Sequence, residues 1–295
     1  MLYSEQYDYY KQNLEDYIKN LYSDYNVPQE NVISAMRYTL TNGGKRIRGV
    51  LVLHCAELFG ADIKDALPVA TAIEMIHAYA LIHDDLPCMD NDAFRRGKPS
   101  CHIAFNEPTA LLAGDGLLTH SFGMIAKSNI SDAKKSKLIE ILADGAGVFG
   151  MIGGQQIDLE SEYKDVSEEL LNELHRLKTG ELIKAAVSLG CTIGDCSEED
   201  YKKMQDYASK IGLVFQITDD MLDVTASIED LGKPINSDSK NHKTTYVTKY
   251  GYDKSKAIAT RLTNDAIEDL VTIDAIKGKQ TFLETLAEQL LHRKK

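Results

Sequence analysis

Apolar residues along this chain recur three and four positions apart, and no segment alternates apolar with polar. Tyr7, Tyr10, Leu14, Tyr17, Ile18 and Leu21 form one such stripe, and Val32, Met36 and Leu40 the next. Further stripes run through Val50 to Phe59, Ile73–Ile76–Ala80, Leu111 to Ile125, Leu138 to Val148, Leu170 to Leu189 and Phe282 to Leu290. A helix with one apolar face must bury it against another, and without strands the partners are helices. The chain is therefore predicted to be an all-α bundle, with polar sites placed between helices. Pro68 is expected to open the helix that carries Ile73 and Ile76, and Pro99 and Pro108 to bracket an irregular stretch. Neither repeats nor a linker divide the 295 residues, so one domain over 1–295 is expected.

Two of these helices carry acids where a bundle wants apolar atoms. The first set is Asp84, Asp85, Asp90 and Asp92, in a stretch running from His77 to the basic cluster Arg95, Arg96 and Lys98. Clustered carboxylates repel unless a cation sits between them, and hard oxygen ligands suit Mg²⁺. Adjacent guanidinium groups likewise demand an anion, and their forks match phosphate oxygens. The bland reading is a solvated turn of mixed charge. The second set, Asp219, Asp220 and Asp223, follows the apolar run Ile211 to Phe215. Asp219 and Asp223 stack four apart on one helix face, which is costly to bury unless they bind something. Two such sets facing each other would grip one diphosphate through several Mg²⁺ ions.

Smaller signals accompany them. Lys45, Arg46 and Arg48 follow Gly43-Gly44 and precede a helix, where cations oppose the dipole and a bound anion would relieve the conflict. His77 and Asp84 share a helix face, seven positions apart. Asp84 and Asp90 do not share one, so Pro87 must distort or end the helix if both serve the same ions. Gly153-Gly154, before Gln155, is read as close helix packing. Gly180, after Lys178 and Thr179, costs about 1 kcal/mol in a helix, and close approach by a phosphate would account for it.

The balance of 33 basic against 45 acidic residues disfavours nucleic acid and anionic membrane as partners. Anionic substrates must then be attracted locally. Five cysteines without a CxxC pair fit reduced thiols in a cytoplasmic protein. Neither a secretory signal nor a run near the ~20 apolar residues of a membrane span is read, so no stable membrane insertion is expected.

In this order the motifs resemble those of the trans-isoprenyl diphosphate synthases, most closely the bacterial farnesyl diphosphate synthases. The resemblance covers Gly43-Gly44-Lys45-Arg46-Ile47-Arg48, His77, Asp84-Asp85-Leu86-Pro87-Cys88-Met89-Asp90, Arg95-Arg96-Gly97-Lys98, Gly153-Gly154-Gln155, Lys178-Thr179-Gly180, Gln216, Asp219-Asp220-Met221-Leu222-Asp223 and Gly232-Lys233. It implies a single helical bundle around a deep central cavity and a homodimer. It also implies Mg²⁺ as cofactor, three ions in all, and two substrates, isopentenyl diphosphate and an allylic diphosphate. Asp84, Asp90 and Asp219, then Asp85 and Asp223, would be metal ligands. Arg95, Lys178, Thr179, Gln216 and Lys233 would hold the allylic diphosphate; Lys45, Arg48, His77 and Arg96 would hold isopentenyl diphosphate. Tyr79 and Ala80, five and four residues before Asp84, would set product length, the aromatic flooring a pocket for a fifteen-carbon chain. The chain departs from the family at Gly49 and Val247, where Pro is usual, at Ala80, where Ser is common, and at Ala93, where another Asp is usual.

Ala226 to Thr244 is read as a functional loop or lid. The basic end His292-Arg293-Lys294-Lys295 is read as fraying charge at a helix C-terminus, the alternative being a part in closing the site. Three other functions stay open. A geranylgeranyl synthase differs only in product. A metal-dependent phosphohydrolase of the HD type would use the His83-Asp84 doublet but needs imidazoles from several helices. A non-catalytic subunit could bind prenyl diphosphates without turning them over.

Overall fold

A computed structural model describes residues 2–22, 26–225, 244–273, 275–276 and 281–293, and nearly all of the regular structure in them is helical. The helices form two compact units, one of Met1–Ile139 with Thr192–Gly194, the other of Glu140–Cys191 with Asp195–Lys295.

In the first unit, α1 (Tyr3–Leu21), α2 (Glu30–Leu40), α3 (Ile47–Leu58) and α6 (Glu107–Ala126) surround α4 (Ile63–Asp84). Helix α4 is apolar nearly all round, as a central helix should be. Ile73, Met75, Ile76 and Ile82 are fully buried in it, as are Leu14, Leu51, Leu53 and Leu117 on the helices that pack around it. By length and composition α4 could cross a membrane, but 72% of its apolar window is buried inside the protein. Pro68 does not open this helix. Asp62 caps it, accepting from Lys64 N at 2.9 Å, and Pro68 lies inside. A proline near the start removes a single interior hydrogen bond, which the surrounding helices outweigh. Between α4 and α6 the chain forms a minimal hairpin, β1 (Phe94–Arg95) with β2 (Lys98–Pro99), and one turn of helix, α5 (Cys101–Ala104). Strands of two residues leave no alternation to read.

The second unit holds α8 (Met151–Ser161), α9 (Glu168–His175), a π-helical turn (Arg176–Gly180), α10 (Glu181–Ile193), α11 (Glu198–Thr225), α12 (Tyr246–Tyr250), α13 (Tyr252–Val271) and α14 (Phe282–Leu291). Helix α7 (Asp132–Ala146) precedes them. Helix α11 packs on α13, α14 and the π turn. Val166, Leu171, Ile217, Met221, Tyr246 and Ala259 make up one core cluster there. The stripe from Leu170 to Leu189, expected as one helix, is broken by the π turn at the Lys178-Thr179-Gly180 motif, a distortion common at functional positions.

Candidate functional site

The anion-binding residues of the first unit are sorted by the backbone. Arg46 sits in the left-handed region (φ 58°), and its guanidinium turns inward to Glu74 of α4 (3.3 Å) and to Leu40 O (2.6 Å). Glu74 also accepts from Gly49 N at 3.0 Å, satisfying a donor in the first turn of α3 that no carbonyl can reach. A proline at this position would have no N–H to give. The packing reinforces it, because a Cβ at Gly49 would lie 2.3 Å from Leu14 Cδ2. Gly49→Ala should therefore lose about 1–3 kcal/mol by overpacking. Gly49→Pro should lose about 1.5–3 kcal/mol more, the worth of a hydrogen bond to a charged acceptor. Urea unfolding of both variants measures the two terms separately.

With Arg46 committed to Glu74, Lys45 stays exposed and Arg48 is half-buried, its Nε without a hydrogen-bond partner among the described residues. His77 stands beside them. Burial, and then the charges of Arg48, Arg96, Arg46 and Arg95, hold its pKa well below the ordinary histidine range, so its ring is neutral. The neutral Nε2 lies 3.4 Å from Arg96 Nη2, placed to accept from it.

Arg96 and Gly97 form the two-residue turn of the hairpin. Both have positive φ (55° and 75°), the combination that suits the twist of a tight hairpin. The turn sends Arg96 back to Gly43 O (2.6 Å) and over Gly44, where a Cβ would meet Arg96 Cζ at 2.7 Å. Gly43-Gly44 thus makes room for a guanidinium. The expected isopentenyl diphosphate set, Lys45, Arg48, His77 and Arg96, falls within this one unit, and His77 with its arginines forms a concentrated positive patch in a chain of net charge −12.

The first aspartates divide as well. Helix α4 ends at Asp84, and the turn behind it is closed by Asp90 N donating to Asp84 O at 2.8 Å. The break expected at Pro87 therefore brings Asp84 and Asp90 together through their backbones. Asp85 is buried and bound to Arg95, whose Nε lies 3.0 and 3.3 Å from its two oxygens and whose Nη2 also contacts it. Arg95 reaches Asp92 as well (3.2 Å), and its carbonyl accepts from Asn42 Nδ2 at 3.1 Å. Asp85 is thus the partner of Arg95, while Asp84 is half-buried and Asp90 exposed.

Tyr79 is 5% exposed and edge-on to His83 (5.7 Å); its hydroxyl has no hydrogen-bond partner among the described residues. Burial pushes its pKa up to about 12. Ala80 beside it is half-buried. His83 turns to α6, 3.1 Å from Leu111 O, and a Cβ at Gly114 would meet its ring at 2.1 Å.

In the second unit, Lys178 Nζ donates to Asp158 of α8 at 2.6 Å. Gly154, one turn before Asp158, lets α8 approach: its Cβ would fall 2.2 Å from Lys178 N. Packing is therefore the use of Gly154, as expected. Gly180 also serves packing: a Cβ on Gly212 of α11 would lie 2.9 Å from Gly180 Cα, so α11 and the π turn approach closely there. Thr179 Oγ1 donates to Gln216 Oε1 (2.9 Å), and Gln216 Nε2 to Asp220 Oδ1 (3.1 Å). Asp220, turned inward, also accepts from Tyr246 N (2.9 Å) and lies 3.6 Å from His175. Asp219 and Asp223 share the other side of α11. Asp223 is 6% exposed, and its Oδ1 is buried with no hydrogen-bond partner among the described residues; Gln155 Nε2 is left likewise.

Sequence reasoning missed Asp158, Glu74 and Asp220 as holders of the motif residues. Spacing offered a signal for two of them: Asp158 is four residues after Gly154, and Glu74 three before His77. Arg293 was misjudged. Its side chain is 8% exposed and bonded to Asp219 Oδ1 (3.1 Å), so it is not fraying charge. Lys233, Lys294, Lys295 and residues 226–243 of the expected lid lie outside the described residues.

Mg²⁺ fits the donors present. They are carboxylates, the hard oxygen ligands this ion takes, and Asp223 Oδ1 is buried with no hydrogen-bond partner among the described residues. Among the described residues no group of three or more ligating side chains converges.

A polyprenyl synthetase family model matches residues 29–278. A farnesyl diphosphate synthase of Micrococcus luteus is 41% identical over 280 residues, 94% of each chain. A geranylgeranyl diphosphate synthase of Cyanophora paradoxa is 44% identical over 89% of this chain and 87% of its own. Among solved structures, a geranyltransferase of Helicobacter pylori, complexed with magnesium and isoprenyl diphosphate, superposes with a TM-score of 0.83. It is 32% identical, over 97% of this chain and 96% of that one.

Proposed function

We propose that this chain, which belongs to the polyprenyl synthetase family and is a prenyltransferase, joins isopentenyl diphosphate head-to-tail to dimethylallyl or geranyl diphosphate, releasing farnesyl diphosphate and pyrophosphate. The observation that carries this reading is the set of buried motif atoms without partners among the described residues: donors at Arg48 Nε and Gln155 Nε2, an acceptor at Asp223 Oδ1. Each such atom costs about 1–3 kcal/mol when unsatisfied. Folds retain them where a ligand completes them: a diphosphate would complete the donor in each unit, and a metal ion the acceptor at Asp223.

In this reading, Lys45, Arg48, His77 and Arg96 bind the diphosphate of isopentenyl diphosphate. No bond to that group breaks, so neutralising and orienting it suffices. Arg95, Lys178, Thr179, Gln216 and Lys233 bind the allylic diphosphate. Asp85 and Asp158 aim Arg95 and Lys178, and the chain from Thr179 through Gln216 to Asp220 fixes their neighbours. The allylic C–O bond breaks with its electron pair leaving on pyrophosphate, and the double bond of isopentenyl diphosphate attacks the cation. A proton then passes to the departed pyrophosphate, so no histidine base is needed. Asp84, Asp85, Asp90, Asp219 and Asp223 are the Mg²⁺ ligands, Asp85 only where it shares its oxygens with Arg95. Mg²⁺, three ions in this assignment, supplies positive charge where the leaving group develops negative charge.

Purified protein incubated with labelled isopentenyl diphosphate, each allylic starter and Mg²⁺ should give a fifteen-carbon product that EDTA abolishes. A twenty-carbon product alone would favour the geranylgeranyl reading, which the Cyanophora paradoxa relative supports. Folded protein that makes no product would favour the non-catalytic subunit. Phosphate release from a nucleotide would favour the phosphohydrolase, against which His83 is turned onto α6.

The chain is further proposed to act as one cytoplasmic domain and to dimerise. Leu111 and Leu112 of α6 are about half exposed (48% and 54%). A second copy packed on α6 would cover them. Light scattering should give twice the chain mass of 32.8 kDa for the native protein and the single mass for Leu112→Glu.

A further inference from the structure

Arg293 lies two residues past the end of α14, where a cationic side chain is ordinarily solvated, yet it is buried against α11. Its Nη2 donates to Phe215 O at 2.8 Å and to Asp219 Oδ1 at 3.1 Å, and its Cζ lies 4.0 Å from the centre of the Phe215 ring. Its Nε is buried without a hydrogen-bond partner among the described residues. A guanidinium 8% exposed beside a carboxylate 44% exposed is an unequal pair: Arg293 has given up its water, and Asp219 has kept much of its own. Asp219 is the carboxylate bonded to this guanidinium and supplies its nearest compensating charge.

We propose that Arg293 is an intramolecular counter-cation for Asp219 that competes with divalent metal, so that loading the second aspartate set releases Arg293 from α11. The proposal rests on the reading of Asp219 as a metal ligand. A carboxylate has two oxygens, and Arg293 holds one of them. A dication arriving at the same group is repelled by the guanidinium and draws off the charge that keeps Arg293 buried. Two cations on one small carboxylate oppose each other, and the arginine, held past the last turn of α14 by side-chain contacts, is the partner that yields. Release would also give Asp219 its second oxygen and leave a cationic side chain near a bound diphosphate.

The test is metal binding without turnover. Mn²⁺ titration of the full chain, followed by electron paramagnetic resonance, should show about five- to tenfold tighter binding for Arg293→Met than for the native protein. Arg293→Lys, which keeps the charge, should fall between them. Circular dichroism establishes that the variants are folded. In the native protein, Mg²⁺ with inorganic pyrophosphate should speed amide exchange in the peptide that ends at Arg293. Unchanged or weaker Mn²⁺ binding by folded Arg293→Met, or slower exchange on loading, would overturn the competition while leaving Asp219 a ligand. Native protein that binds neither Mn²⁺ nor pyrophosphate would overturn both readings together.

Discussion

Replacing Asp219 by alanine will leave the protein folded and lower kcat by about 10²–10³ or more, the range seen when one electrostatic stabiliser of a developing anion is removed. Two features of α11 separate the folding effect from the catalytic one. Asp219 keeps 44% of its side chain in solvent, so its loss opens no cavity, and Arg293, the partner it leaves behind, lies past the last turn of α14 and can turn its charge to water. Its neighbour Asp220 is buried and holds Gln216 and Tyr246 N, so alanine there would strand two donors and cost stability first. Steady-state rates at saturating substrates and Mg²⁺, paired with thermal melts of both variants, tell the two aspartates apart. Asp219→Asn adds a control, since the amide oxygen still accepts from Arg293 but carries no charge. A variant lacking Asp219 that turns over at a near-native rate would remove this residue from the mechanism.

Truncating Tyr79 to alanine will lengthen the product beyond fifteen carbons. Tyr79 stands five residues before Asp84 on an unbroken helix, about 7.5 Å down its axis at 1.5 Å per residue. A chain anchored by its diphosphate at Asp84 would meet the ring at that depth. The ring is buried and edge-on to His83, and its hydroxyl bonds to nothing among the described residues, so it acts through bulk alone. Removing it opens a cavity at a stability cost of about 3–5 kcal/mol, as for other buried aromatics. Tyr79→Phe separates volume from polarity. It keeps the ring and loses the stranded hydroxyl, so it should retain the fifteen-carbon product and gain about 1 kcal/mol. Chromatography of the labelled products decides the matter, and an unchanged fifteen-carbon profile from Tyr79→Ala would refute the flooring role.

Much of this protein was legible one residue at a time. The spacing of Tyr10, Leu14 and Ile18 marks α1 because burying one helical face is a local demand, repeated every turn. Asp219 and Asp223 could be placed on one face of α11 for the same reason. The turn after Asp84 was foreseeable because Asp84 and Asp90 share no helical face and Pro87, between them, disfavours helix. The short hairpin was not, since two-residue strands have no period, and the left-handed Arg96 is specified by the turn it makes with Gly97. The π turn at Lys178 was also invisible, because an inserted residue shifts the register without changing the composition.

What the sequence by itself determined was the set of charged residues and the helices that bear them, since periodicity and motif order are written along the chain. Only the tertiary structure decided which charge of each run turns inward. Arg46 is taken by Glu74, Asp85 by Arg95, Asp220 by Gln216 and Tyr246, and Arg293 by Asp219, while Lys45, Asp84 and Asp90 stay open to solvent in whole or part. Neighbouring residues of like charge have nearly the same local preferences. The choice between them falls to whichever finds an opposite charge on another helix, because burying an ion without one costs more than the local chain can supply.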